Sequence, residues 1–176
     1  MNFIPEKSEA VRVPYFEEVT QAEGWQGYTT TKSVKTLQAE ITEAITRLGG
    51  VVSGFQRGTF LVDDRKREGF QIHYSIVAPD GGFVPARLDI AALPVRSTYN
   101  DARKDKALRM ALYMLRTALS GMWFMQQLSP GFAPLMPWML ASEDKTVSQL
   151  WAESPAMQRL LPPGESEFVE GEIVND

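Results

Sequence analysis

The spacing of apolar positions changes along the chain, and the changes mark the elements. From residue 31 to 48, Val34, Leu37, Ile41, Ile45 and Leu48 recur every three or four positions, with Ala44 beside them. That spacing lines one side of an α-helix. The hydroxyls from Thr29 to Ser33 offer caps, and Gly49-Gly50 is a stop. Residues 51–62, VVSGFQRGTFLV, predict a strand in which Gly54 and Gly58 mark a bulge or a bend, a small hairpin being the alternative. Residues 63–69, DDRKREG, predict a charged turn. Residues 70–78 then alternate, with Phe70, Ile72, Tyr74 and Ile76 on one face and Gln71, His73 and Ser75 on the other. Pro79-Asp80-Gly81-Gly82 is a turn signal. Residues 83–93 return as a strand that points Val84, Ala86, Leu88, Ile90 and Ala92 inward. A simple hairpin brings Arg87 and Asp89 beside His73 on the outer face, and Arg57 is expected there too.

The longest helical pattern runs from Asn100 to Gln127, with Asn100 or Asp101 as its cap. Leu108, Ala111, Leu112, Leu115, Leu119 and Met122 form its core stripe. A second stripe carries Lys106, Arg109, Tyr113, Arg116 and Ser120. Cations flanking a tyrosine suit nucleic acid, because the charges meet phosphates and the ring stacks on a base. The plain alternative is a solvated helix face. Beyond Gly121 the helix turns apolar all round, with Met122, Trp123, Phe124 and Met125, which predicts burial in the core or in a partner.

The expected fold is therefore α+β: a single domain in the order helix, three or four antiparallel strands, long helix. Residues 1–30 precede it as an arm broken by Pro5, Pro14, Gly24 and Gly27, in which Val11, Val13, Tyr15, Phe16, Trp25 and Tyr28 are available to dock. The domain spans 31–163. Residues 128–140 form an apolar, proline-rich loop expected to pack over the core. Residues 143–161 predict one or two short helices, with Thr146 capping the first and Pro155 opening the second. Residues 164–176 form an acidic tail, GESEFVEGEIVND, of disordered composition.

An apolar fraction of 44% allows an ordinary core. No apolar run approaches the ~20 residues of a membrane span, and no secretory leader is legible. The expectation is a soluble cytoplasmic protein. Cysteine is absent, which removes disulfides, thiolate catalysis and cysteine zinc sites; the single histidine, His73, removes two-histidine metal motifs. The net charge of −4 is unevenly spread: −3 over residues 1–30, +5 over 31–120 and −6 over 121–176. Acidic ends flanking a basic middle can compete with an anionic ligand, or simply serve solubility.

Candidate chemistry is sparse. Asp63-Asp64 could hold a metal, but adjacent acids in a turn usually only solvate it. Pro79-Asp80 followed by Leu88-Asp89-Ile90-Ala91 has the order of a restriction-type nuclease site, yet Ala91 stands where the lysine must be. His73 lacks a nucleophile at any recognisable spacing, Ser129-Pro130-Gly131 is not a nucleophile elbow, and phosphate loops are absent. No cofactor is expected.

Over residues 31–127 the element order resembles, in outline, double-stranded-RNA-binding domains and, more loosely, phage single-strand annealing proteins. The tail is similar in character to the partner-recruiting tails of single-strand-binding proteins but lacks their ending. The first reading is a nucleic-acid-binding accessory protein of single-stranded DNA or RNA, of the DNA-metabolism or recombination type. Its site would be Lys106, Arg109, Tyr113 and Arg116 on the helix with Arg57, His73 and Arg87 on the sheet. The second is an assembly subunit, for example of a larger complex or a phage-type particle, contacting a partner or itself through Met122, Trp123, Phe124, Phe132 and Trp138. The third is an enzyme of unrecognised type.

Overall fold

The computed structural model describes residues 12–96 and 101–153. Asn100 as a cap, the helix opened by Pro155, Val11 and the acidic tail all lie outside the described residues. The first helix, α1, spans Val34–Arg47. Ser33 caps it, its Oγ accepting the Thr36 N–H at 3.1 Å. Gly49 follows at a left-handed φ of 93°, and Gly50 lies so close to α1 that a Cβ would meet Ile45 Cγ2 at 2.5 Å. This pair turns the chain tightly into the sheet.

Three antiparallel strands form a meander: β1 (Gly50–Val62), β2 (Arg65–Val77) and β3 (Phe83–Ala91). The 51–62 segment is one long strand rather than a hairpin, with a bulge between Val52 and Gly54 absorbing its irregularity. The charged turn is shorter than the sequence suggests. Only Asp63 and Asp64 turn, at φ of 51° and 58°, and Arg65 to Gly69 already belong to β2. Left-handed backbone at two successive positions matches the mirror-image turns whose twist suits a hairpin.

The long helix, α2, spans Asp101–Leu128. It runs parallel to α1: Arg109 meets Thr30, Arg116 meets Glu40, and Arg47 meets Trp123. Both helices cover the same face of the sheet, α1 against β1 and α2 against β3. The core between them includes Leu37, Ile41, Ile45, Ile72, Leu88, Leu108, Leu112 and Leu119, as the periodicities require, together with Met110 from the neighbouring helix face. Tyr74 is also enclosed, its hydroxyl without a partner among the described residues, and burial pushes its pKa well above the ordinary value.

The N-terminal segment docks on its own domain. Phe16 and Val19 are buried, Phe16 stacks on Tyr28 at 5.3 Å, and the Phe16 N–H donates to Pro94 O at 2.9 Å. After α2 the chain returns to the sheet edge, where the Leu140 N–H donates to Pro85 O at 2.9 Å. A short helix follows, α3 (Val147–Glu153), capped by Thr146, whose Oγ accepts the Gln149 N–H at 3.2 Å. Among the described residues, no helix is long and apolar enough to cross a membrane.

Candidate nucleic-acid interface

The helix stripe assembles as its spacing predicts, but it is occupied by the protein itself. Lys106 Nζ lies 4.4 Å from the centre of the Tyr28 ring. Arg109 Nε pairs with Asp105 Oδ2 at 2.9 Å, and its Nη1 donates to Thr30 O at 3.2 Å. Arg116 Nε pairs with Glu40 Oε2 at 3.1 Å. Tyr113 presses against Gly27, where a Cβ would fall 2.6 Å from the tyrosine Cβ. Together these residues seat the segment around Gly27 to Thr30. The charge of the stripe is largely matched from within.

The sheet residues are divided. His73 and Arg87 are cross-strand partners on the outer face. Arg87 is sequestered there, with Nε on Asp89 at 3.0 Å, Nη1 on Asp144 O at 3.0 Å and Nη2 on Gln149 Oε1 at 3.1 Å. Arg57 departs from expectation. Its register partner is Phe70, so it lies on the core face of the sheet, beyond the helices, where it pairs with Glu68 at 3.0 Å. Partners in a ladder share a face, and Phe55 opposite Ile72 fixes which face that is. The proposed set of seven residues is thus spread over three separate surfaces.

A different cluster gathers where β2 begins, β3 ends and α2 begins. Tyr15, Arg65, Lys66, Arg96 and Lys104 line a cleft of about 500 Å³ there, with Asp64 and Glu68. The Tyr15 ring is half-buried and ringed by guanidiniums, with the Cζ atoms of Arg65 and Arg96 at 5.1 Å and that of the exposed Arg12 at 5.9 Å. Arg65 Nη1 donates to Val13 O at 2.8 Å, while its Nε–H is enclosed and meets no acceptor among the described residues. Arg67, beside it, caps the carbonyls of Ala92 and Ala91 at 2.7 and 3.0 Å. Burial, reinforced by the charge of Arg65, lowers the Arg67 pKa.

The arm supplies counter-charge to this cluster. Glu17 accepts from the Arg96 N–H at 3.2 Å and pairs with Arg103 at 3.3 Å, while Glu18 pairs with the Arg96 side chain. Sequence reading missed the cluster because its parts stand far apart. Arg65-Lys66-Arg67 was absorbed into a turn, and Arg96 and Lys104 flank the start of α2 some thirty residues later. The usable signal was the basic triplet itself. Among the described residues, no group of acidic or histidine side chains could hold a metal ion. Asp63 and Asp64 serve the hairpin turn.

No known protein family, curated protein or solved structure matches this chain.

Proposed function

We propose that the protein is a nucleic-acid-binding accessory protein that takes a single strand of DNA or RNA at the cleft around Tyr15. The observation that carries this reading is the set of cations, Arg12, Arg65, Lys66, Arg96 and Lys104, grouped about one half-buried aromatic ring in a concave surface. Phosphate oxygens satisfy guanidinium and ammonium donors together, and Arg in particular offers a rigid fork to phosphate. An aromatic ring serves a base only when that base is unstacked, which favours a single strand over a duplex. Arg12, the most distant of the three guanidiniums and an exposed one, is the one a base would displace from the ring. The helix stripe seats the arm in this reading and contacts nucleic acid only if the arm lifts.

The test is fluorescence anisotropy of the full-length protein with labelled single- and double-stranded oligonucleotides across a salt series. Binding of a single strand should weaken as salt rises, with a log–log slope of about −3 if four phosphates are neutralised at ~0.7 each. A duplex should bind more weakly. No binding of either at low salt would sink the reading.

A further inference from the structure

A second surface lies at the opposite end of α2, and it has the reverse character. Between Arg116 and Glu143, 26 consecutive residues carry no charge. Part of that stretch is core: Leu119 is buried, and Met122, Trp123 and Trp138 pack against the core cluster. The rest is not. α1 ends where Arg47 sits over the Trp123 ring at 4.2 Å. α2 continues to Leu128, an overhang of roughly 7 Å at 1.5 Å per residue. On that overhang Phe124, Met125 and Leu128 are 58%, 48% and 77% exposed, and Phe132 and Met136 in the segment that follows are 37% and 53% exposed.

We propose that this uncharged end is the contact surface for a second copy of the chain. Three arguments point to a like partner. At about 150–250 Å² per large side chain, the exposed fractions leave roughly 400–700 Å² of apolar area on each copy. Two such faces give about 800–1,400 Å² before the polar rim is counted, which reaches the range of specific interfaces. The overhang and the segment after it carry no charge of their own, the nearby Arg47 being placed over the Trp123 ring, so a two-fold axis through this ridge brings no like charges of the stretch together. Finally, Phe124 and Leu128 are four residues apart on a helix, and Met125 and Leu128 three, so one ridge can pack antiparallel beside its copy.

This inference stands apart from the nucleic-acid reading, since the cleft is at the other end of α2. Along α2 the step from Lys104 at the cleft to Phe124 and Leu128 is about 30–36 Å at 1.5 Å per residue. Pairing therefore leaves both clefts open. A dimer would present two anion-binding ends, and one long strand held at both gains avidity that two short oligonucleotides lack.

The test is the mass of the full-length protein, without nucleic acid, by sedimentation velocity over a wide concentration series. The expected result is a concentration-dependent rise to twice the monomer mass that high salt does not reverse. Phe124→Glu combined with Leu128→Glu should return the monomer mass, with an unfolding midpoint equal to that of the parent at concentrations where the parent is monomeric. Leu61→Glu adds a charge at a site that is 71% exposed near the hairpin tip, and it should leave the dimer intact. A wild-type protein that stays monomeric at the highest concentration would overturn the proposal. So would association that the double variant leaves in place, or that salt dissolves.

Discussion

Gly27 and Tyr113 are 86 residues apart in sequence, yet a Cβ on Gly27 would lie 2.6 Å from the tyrosine Cβ. The backbone of the arm thus rests directly on the face of α2, and Gly27 also holds a φ of 78°, where side chains are strained. Left-handed backbone alone costs roughly 1–2 kcal/mol for a residue with a Cβ. The clash adds to that, because the Cβ and Cγ of Tyr113 cannot swing aside as the tip of a flexible chain would. Gly27→Ala should lower the thermal midpoint by about 4 °C or more, at ~2–4 °C per kcal/mol for a chain of this size. Limited proteolysis should then cut within residues 20–32 sooner than in the parent. An unchanged midpoint and cleavage rate would mean that the arm is not seated there.

The hairpin between β1 and β2 makes the opposite kind of prediction. Asp63 and Asp64 both carry positive φ, at 51° and 58°. Asp tolerates this region better than most residues, but Asn followed by Gly is the pair the mirror-image turn prefers. Asp63→Asn with Asp64→Gly should raise the midpoint by about 2–4 °C, which is ~1 kcal/mol at this size. Differential scanning calorimetry decides it, and a lowered midpoint would show that the carboxylates do more than turn the chain.

These two sites also show what the sequence could and could not disclose. The two helices and the inward faces of β2 and β3 were legible because burial imposes a period, which the core residues follow apart from Ala107 and Met110, buried from the neighbouring face of α2. Ile41 and Ile45, or Ile72 and Tyr74, need no knowledge of distant chain. The early start of β2 was hidden because Arg65, Lys66 and Arg67 look like loop composition; they are strand residues at a sheet end, where Arg65 reaches the arm and Arg67 the 91–92 carbonyls while Lys66 stays exposed. Arg57 was misplaced by reading its charge as a sign of the outer face. Parity with Phe55 puts it on the core face, where the helices no longer cover the sheet. The basic stripe on α2 had the right spacing, but spacing says nothing about which other segment lies on it. The cleft needed Tyr15, Arg65 and Arg96 together, and only the closed fold brings those three positions into one place.

The latch between the arm and the basic end should depend on pH. Burial pushes the Glu17 carboxyl up, but hydrogen bonds from its own and the Arg96 backbone N–H groups, and from Arg103, outweigh burial; the net pKa is below the ordinary 4.5. Glu18 is held below 4.5 as well, first by the Tyr15 N–H and then by Arg96. A carboxyl whose pKa is lower folded than unfolded stabilises the folded state when ionised. That contribution is fully present above 4.5 and is lost as pH falls through the depressed values. Hydrogen-exchange protection of residues 15–24, corrected for intrinsic rates, should fall below pH 4.5 while that of α1 persists. Glu17→Gln with Glu18→Gln should remove the pH dependence and lower protection at neutral pH. Protection that tracks α1 at every pH would mean that the carboxylates do not hold the arm.

Two sets of cations compete for the role of interface, and a pair of double variants separates them. Arg65 and Lys66 line the cleft beside Tyr15, whereas Arg109 and Arg116 are engaged by Thr30, Asp105 and Glu40. A cation already paired within the protein gains little from a phosphate, because one partner is exchanged for another. Arg65→Ala with Lys66→Ala should therefore weaken single-strand binding at least tenfold, and should make the salt slope shallower by ~1.4, or about 0.7 for each lost contact. Tyr15→Leu keeps an apolar side chain but removes the stacking surface, which is worth about 1–3 kcal/mol per base, or roughly 5- to 150-fold. It should lower affinity without changing the slope, since no phosphate contact is lost. Arg109→Ala with Arg116→Ala should leave affinity within about twofold while lowering the unfolding midpoint, because those residues hold the arm and α1 to α2. The reverse pattern, with affinity lost from the helix pair and kept by the cleft pair, would return the interface to the stripe and imply that the arm lifts away when nucleic acid binds.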